Sequence, residues 1–154
     1  MSPLGAIWKK LNFSKSTQLK IMGLFQDKFL VGVTGVIFND QNEILLFKHT
    51  YRANLWSLPG GYLKGGEHPK EGLEREIKEE SNLIVSADER MKIRTDRDTA
   101  RLDITYYGSF IGGEFKKSKE VSEFKFFAFD KLPEISKTQL FFIDKALKLK
   151  NSKN

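Results

Sequence analysis

Hydrophobic residues along the chain repeat in patterns that predict both strands and helices. Residues 29–38 and 43–47 are apolar and rich in β-branched side chains, which is typical of strands. The turn-forming segment 39–42 between them predicts a hairpin. Further strand candidates are residues 91–94, 102–110 and 124–129. A glycine turn at 111–114 separates the last two. The pattern therefore predicts five strands.

Helical spacing appears at both ends of the chain. Near the C-terminus, Leu140, Ile143 and Leu147 share one face, and Ser136 suits the N-cap of that helix. Residues 1–28 are amphipathic and predict a short helix that packs on the domain or on a second subunit, through Trp8, Leu11, Leu19, Ile21, Leu24 and Phe25. Membrane attachment is a weaker alternative, because the mixed spacing leaves no clean apolar face.

A third helix is predicted over residues 69–81. Pro69 is a favoured first helical residue, and Glu71 and Glu74 suit the positive end of the helix dipole. The helix should end at Ser81, because Asn82 tolerates the left-handed conformation that closes a helix.

This helix carries three carboxylates within one turn. Glu76, Glu79 and Glu80 stand at positions i, i+3 and i+4, and like charges at such spacings destabilise a helix by roughly 0.2 to 0.5 kcal/mol per pair. A divalent cation would reverse that penalty. Because the ligands would all be oxygens and the chain has no Cys, Mg²⁺ or Mn²⁺ is favoured over Zn²⁺.

The same helix has a simpler interpretation. Lys70, Arg75 and Lys78 alternate with the acids, so the segment could be a solvated face with weak salt bridges. The glycine-rich loop in front of it, residues 59–67, favours the metal site, because a backbone without side chains can approach a metal or a phosphate closely.

The loop and helix together resemble the signature of the Nudix hydrolases, written G-x5-E-x7-R-E-U-x-E-E-x-G-U with U an aliphatic residue. Asn82 is the single departure, standing where the family has Gly. Eight of the nine specified positions match, as Gly61, Glu67, Arg75, Glu76, Ile77, Glu79, Glu80 and Leu83. The resemblance implies an α/β fold of the Nudix type, an α/β/α sandwich with a mixed sheet between helices. We assign residues 29–150 to this domain, 1–28 to the N-terminal segment and 151–154 to a tail.

The resemblance also implies an activity, a pyrophosphohydrolase that depends on a divalent metal, Mg²⁺ or Mn²⁺. Its substrate would be a nucleoside diphosphate linked to another moiety, such as a nucleotide sugar, a nucleoside triphosphate or a dinucleotide. Glu76, Glu79 and Glu80, with the Gly61 carbonyl, would hold metal that neutralises the diphosphate and acidifies a water. The particular substrate, the phosphorus attacked and the number of metal ions stay open.

Other members of the site follow from the resemblance with defined roles. Arg75 and Glu67 would orient the ligand carboxylates by charge-assisted hydrogen bonds. The general base stays open among Glu79, Glu80 and Glu120. Glu120 precedes a predicted strand, where many family members supply an extra carboxylate, but a surface acid beside several lysines is an equal alternative.

Substrate contacts are predicted ahead of the glycine loop. Lys48 and Arg52 could contact phosphate, while Tyr51 or Trp56 could stack on a base. Packing or solvated surface is the alternative for each of them. His68 lies at the start of the acidic helix, where we expect an N-terminal cap.

Composition indicates the number of domains, the chemistry that is excluded and the cellular compartment that we expect. The chain has 154 residues, which fits one domain, and the absence of Cys excludes disulfides and thiolate chemistry and fits a reducing cytoplasm. No apolar run approaches the roughly 20 residues of a membrane-spanning helix, and no secretory signal is evident. We therefore expect a cytoplasmic protein, and a homodimer is compatible with the N-terminal segment.

The alternative function is a non-catalytic nucleotide-sensing or RNA-binding module on the same fold. Residues 1–20 carry four Lys and no acid, and residues 144–154 carry four Lys and one Asp, within a net charge of +6. RNA is nevertheless not the favoured partner, because these basic ends are dilute and lack a recognised motif. The intact glutamate trio favours the enzyme.

Overall fold

A computed structural model describes residues 13–51, 56–96 and 98–152. The helices are α1 (Lys15–Phe25), α2 (Pro69–Ser81) and α3 (Lys137–Asn151), with a short 3-10 helix at Phe129–Lys131. The strands are β1 (Leu30–Phe38), β2 (Ile44–His49), β3 (Trp56–Ser57), β4 (Gly60–Tyr62), β5 (Ile84–Asp96), β6 (Arg101–Gly112) and β7 (Val121–Phe127). The predicted hairpin, the later strands and all three helices are present.

The strands form one mixed sheet. β1 pairs with β2 only beside the hairpin, at Phe38 and Ile44, and runs parallel to β6 along its whole length. Farther from the hairpin, β2 pairs with β3 and β1 pairs with β4, so the two short strands lie between β1 and β2. β5 and β7 are the outer neighbours of β6 and β2. At the level of β4 the order across the sheet is therefore β7, β2, β3, β4, β1, β6, β5.

Alternate residues of the sheet pack against helices on its two sides. One cluster joins odd-numbered residues of β1 and β2 to α2, through Val33, Ile37, Leu45, Phe47, Leu73 and Ile77. The other joins even-numbered residues to α3, through Val36, Phe38, Ile44, Leu46, Phe142, Ile143 and Ala146. This arrangement confirms the predicted α/β/α sandwich.

The buried face of α3 differs from the predicted one. Ser136 caps the helix as expected, accepting a hydrogen bond from the Gln139 N–H. Leu140, however, is 43% exposed, and the buried residues are Phe142, Ile143 and Ala146. Ile143 is buried as predicted and Leu147 packs against the same cluster, so the buried face overlaps the predicted one but is centred nearer Phe142 and Ala146.

Both ends of α2 form as the sequence indicates. Pro69 is the first helical residue, and the His68 side chain caps the helix by accepting from the Lys70 N–H. Glu71 completes a capping box by accepting from the His68 N–H. At the other end Asn82 adopts the left-handed conformation, with φ of 62°. These caps fix where the acidic helix begins and ends.

The N-terminal helix α1 begins after the Ser14 cap and buries none of its residues. Leu24 and Phe25 are each 79% exposed, so packing on the domain is not observed among the described residues. Trp8 and Leu11 lie outside them. Packing on a second subunit and the division at residues 28 and 150 stay predictions. Within the described ranges, no helix has the length and apolar character needed to cross a membrane.

Candidate active site

A cavity of about 720 Å³ opens across the sheet at the level of β4. Its walls come from α2, the loop before β7, the glycine strand β4 with its neighbour β1, strands β5 and β6, and the start of α3. The charged residues and glycine that define it are Gly61, Glu76, Glu80, Arg94, Arg101, Asp103 and Glu120. By the strand order, Glu120 lies on one side of β4, and Arg94, Arg101 and Asp103 lie on the other.

Arg75 organises the first group of carboxylates. Its Nε and Nη2 donate to the two carboxylate oxygens of Glu67, at 2.9 and 2.7 Å. Its Nη1 donates to Glu76 at 2.8 Å and to Glu79 at 2.9 Å. Nη2 also donates to the Tyr62 carbonyl at 3.1 Å. One guanidinium thus ties the glycine loop to helix α2.

The pairing has clear electrostatic consequences. The Arg75 hydrogen bonds, followed by the Lys64 N–H bond, lower the pKa of Glu67 to about 2. The same contact with Glu67 raises the pKa of Arg75 above its ordinary value. Both groups therefore stay charged at neutral pH.

Glu79 belongs to the same paired group. Its carboxylate accepts from Lys64 Nζ at 3.1 Å and from Arg75, and its side chain is 53% exposed. Hydrogen bonds from Lys64, then Arg75, lower its pKa. Glu79 does not line the cavity. In this arrangement the positively charged side chains of Lys64 and Arg75 balance the charge of Glu79.

Glu80 is in the opposite situation. It is only 8% exposed, and its Oε2 atom has no hydrogen-bond partner within the described residues. Burial is the largest cause that raises the pKa of Glu80 to about 8, followed by the charges of Glu120, Glu76 and Glu79. A buried carboxylate crowded by other carboxylates is unfavourable unless a cation joins them.

Gly61 gives Glu76 its place beside Glu80. A Cβ atom at position 61 would lie 2.5 Å from the carboxyl group of Glu76. Only glycine leaves this space, so the Glu76 carboxylate can lie directly against the β4 backbone. The Gly61 carbonyl belongs to the same strand segment.

These donors fit a hard divalent cation. They are all oxygens, at least one is buried and unpartnered, and their mutual repulsion would fall on metal binding. In the part of the chain that the structure describes, no three His, Cys, Asp or Glu side chains are already arranged to hold a metal. Glu79 could join Glu76 and Glu80 only by leaving Lys64 and Arg75.

The predicted substrate contacts lie in different surroundings. Tyr51 lines the cavity, with its ring 5.2 Å from that of His49. Lys48 instead pairs with Glu123 at 3.2 Å and lies outside the cavity lining. Trp56 packs edge-on against Phe127 at 5.1 Å. Arg52 lies outside the described residues.

Sequence reasoning missed the far side of the cavity. Arg94, Arg101, Asp103, Thr138 and Gln139 line it without having been candidates. The signal present in the sequence was the i, i+2 spacing of Arg101 and Asp103, which puts both on one face of a strand. That spacing does not reveal that β6 runs beside β1, next to the glycine loop.

Comparison with known proteins agrees with this geometry. The family model described as NUDIX domain matches residues 28–147. An ADP-ribose pyrophosphatase from Methanocaldococcus jannaschii is 35% identical over 112 residues, covering 69% of this chain and 66% of the relative. A human 8-oxo-dGDP phosphatase is 31% identical over 90 residues, covering 57% of this chain and 28% of the relative. The chain thus spans just under two thirds of the first relative and much less of the second.

A solved structure shares the fold. The crystal structure of an ADP-ribose pyrophosphatase from Streptococcus suis superposes with a TM-score of 0.69 and 27% identity, covering 82% of this chain and 96% of that one. The family match covers all seven strands that the structure describes, α2 and most of α3. It confirms the predicted family resemblance. The chain belongs to the Nudix hydrolase family.

Proposed function

We propose that the chain is a metal-dependent pyrophosphohydrolase of nucleoside diphosphate derivatives. The observation that carries the proposal is the buried, unpartnered carboxylate of Glu80, which shares a cavity with Glu76 and Glu120 beside Gly61. Such a cluster can approach a diphosphate, itself an anion, only through bridging cations.

Glu76, Glu80 and the Gly61 carbonyl would hold Mg²⁺ or Mn²⁺, with Glu79 as a further ligand. The bound metal would supply charge neutralisation of the diphosphate and a more acidic water. Arg75 acts as a positioning residue, because its Nη1 bond holds one oxygen of Glu76 while the other faces Gly61. Glu67 in turn fixes Arg75 through two hydrogen bonds.

Glu120 is the general base that we propose. It lines the same cavity as Glu80, and its charge is the second-largest cause of the raised Glu80 pKa after burial. Glu79 is less suited, since Lys64 and Arg75 hold its carboxylate and keep its pKa low.

ADP-ribose is the substrate that we propose first. It is the compound named for the relative from Methanocaldococcus jannaschii and for the Streptococcus suis structure. An 8-oxo-nucleoside diphosphate is the second candidate, because the human relative is named for it. A reducing cytoplasm is the setting we propose, since the chain contains no Cys.

The test is hydrolysis of a panel that contains ADP-ribose, UDP-glucose, 8-oxo-dGDP, ATP, a dinucleoside polyphosphate and capped RNA. Each is assayed with Mg²⁺, with Mn²⁺ and with excess chelator. We expect AMP and ribose 5-phosphate from ADP-ribose, only with metal. Turnover that persists in chelator would contradict the metal mechanism. Nucleotide binding without any turnover would favour the non-catalytic module instead.

A further inference from the structure

The side of the cavity opposite Glu120 contains an ion pair that the metal chemistry does not use. Arg101 donates from Nε and Nη2 to Oδ2 of Asp103, at 3.1 and 3.0 Å. The side chains of Arg101 and Asp103 are 38% and 22% exposed, so both are held in place yet open to the cavity.

The strand register leaves a space for this pair. Asp103 lies on β6 directly between Gly32 of β1 and Arg94 of β5. A Cβ atom at position 32 would lie 2.6 Å from Asp103 Oδ1 and 3.7 Å from the Gly61 carbonyl oxygen. The missing side chain at Gly32 therefore lets the Asp103 carboxylate lie over β1, close to the glycine strand of the candidate metal site.

The hydrogen-bonding capacity of the pair selects a kind of ligand. Both bonds from Arg101 go to Oδ2, and among the described residues Oδ1 accepts no hydrogen bond. A hydroxyl group can donate to Oδ1 and accept from a guanidinium at the same time. A phosphate oxygen can only accept, and Asp103 would repel it. The pair therefore suits hydroxyl groups better than a further phosphate.

Its position fits one end of a bipartite substrate. Glu76 and Glu80 reach the cavity from α2, with Tyr51 and Glu120 toward β2 and β7. The ion pair lies toward β6 on the α3 face of the sheet, because Asp103 is in register with even-numbered Gly32, and the cavity joins the two faces beside β4. A diphosphate at the centre would extend one substituent to each side.

We propose that Arg101 and Asp103 form a subsite for the vicinal hydroxyl groups of the sugar that the diphosphate joins to the nucleotide. The inference rests on the proposed function for its substrate class. It predicts that nucleoside diphosphate sugars are preferred over nucleoside di- and triphosphates, because only the former carry hydroxyl groups on both sides of the diphosphate.

The test compares ADP-ribose with ADP, which lacks the second sugar. Calorimetric titrations with Mg²⁺ and the non-hydrolysable α,β-methylene analogues of both compounds should give tighter binding of the ADP-ribose analogue than of the ADP analogue by wild-type protein. Asp103→Ala should weaken ADP-ribose binding by roughly tenfold and leave ADP binding unchanged. With Mg²⁺ present, kcat/KM for ADP-ribose should fall by a similar factor.

Gly32→Ala provides a second variant that keeps both charges but moves the Asp103 carboxylate. It should also weaken binding of ADP-ribose relative to binding of ADP. Asp144→Asn, which removes a charge from the exposed Asp144–Lys148 pair on α3, is the control. Equal losses for ADP-ribose and ADP, or no change in either, would overturn the subsite. Because binding of the methylene analogues needs no hydrolysis, the titrations decide on the subsite even if wild-type protein shows no turnover, a result that would reject the proposed function alone.

Discussion

Glu79 and Glu80 are adjacent in sequence, yet they lie in opposite electrostatic environments. Glu79 accepts hydrogen bonds from Arg75 and Lys64, and its pKa is lowered. Glu80 points into the cavity, has an unpartnered oxygen within the described residues, and has a pKa raised to about 8. The difference shows that helix α2 has a side where charges are balanced by the protein and a side where they are not.

The two sides have different physical roles. On the Arg75 side, hydrogen bonds connect the glycine loop to the helix and hold Glu67 and Glu76 in fixed positions. On the cavity side, the charges of Glu120 and Glu76 both repel that of Glu80. A protein retains such repulsion where a bound ligand relieves it, so the cavity side is where we expect cation binding.

Glu80→Gln should have the largest effect on activity. It removes the charge of a metal ligand while preserving shape, and kcat/KM should fall by at least about a hundredfold. Steady-state hydrolysis of ADP-ribose with Mg²⁺ measures this. Glu74→Gln is the matched control, because its amide oxygen can still accept the Ala87 N–H bond. Similar rates in the two variants would remove Glu80 from the site.

Gly61→Ala should have the next largest effect. The added Cβ would lie 2.5 Å from the Glu76 carboxyl group and displace it, with a loss in kcat/KM of roughly tenfold to a hundredfold. Gly65→Ala is the control from the same loop, since nothing lies within 4 Å of a Cβ there. If both alanine variants retain wild-type rates, activity does not require the Glu76 carboxylate to lie beside the β4 backbone.

Arg75→Lys tests the balanced side of the helix. Lysine cannot keep the forked bonds to Glu67 together with those to Glu76 and Glu79, so kcat/KM should fall about tenfold. The thermal midpoint should also fall, because the loop loses its connection to α2. Arg90→Lys, at an exposed position on β5 outside the cavity lining, provides the comparison. A stable variant with full activity would show that Arg75 does not position the ligands.

The smallest expected effect is on stability without metal. The pKa of Glu80 is about 8 in the folded state and ordinarily 4.5, so between these values the folded state binds a proton that the unfolded state has lost. This contribution is complete below pH 4.5 and is lost as pH rises through 8. In chelator, the thermal midpoint of wild type should therefore fall between pH 6 and pH 8.5 by a few degrees more than that of Glu80→Gln. Parallel pH profiles would contradict the raised pKa.

Local chemistry made the acidic helix predictable. Pro69, His68 and Asn82 determine the ends of α2 within a few residues of sequence, and the spacing of Glu76, Glu79 and Glu80 follows from helical geometry. These features depend on neighbours that are close in the chain. The α/β/α sandwich is implied by the resemblance to the Nudix hydrolases, and the alternation of buried residues in β1 and β2 agrees with it.

Other features depend on residues far apart in sequence. β5 extends over Ile84–Asp96, well beyond the predicted 91–94, because pairing with β6 extends a polar strand whose apolar pattern is weak. The orientation of Glu79 depends on Lys64, fifteen residues away. The far side of the cavity exists because β6 runs parallel to β1, about seventy residues earlier in the chain. No local pattern contains this information.

The most direct measurement is Mn²⁺ binding, followed by electron paramagnetic resonance of the free ion, in wild type, Glu80→Gln and Glu74→Gln. Our account predicts saturable binding by wild type and by Glu74→Gln, and at least roughly tenfold weaker binding by Glu80→Gln. Binding of equal strength in all three proteins would contradict the claim that the buried carboxylate of Glu80 is retained for a cation.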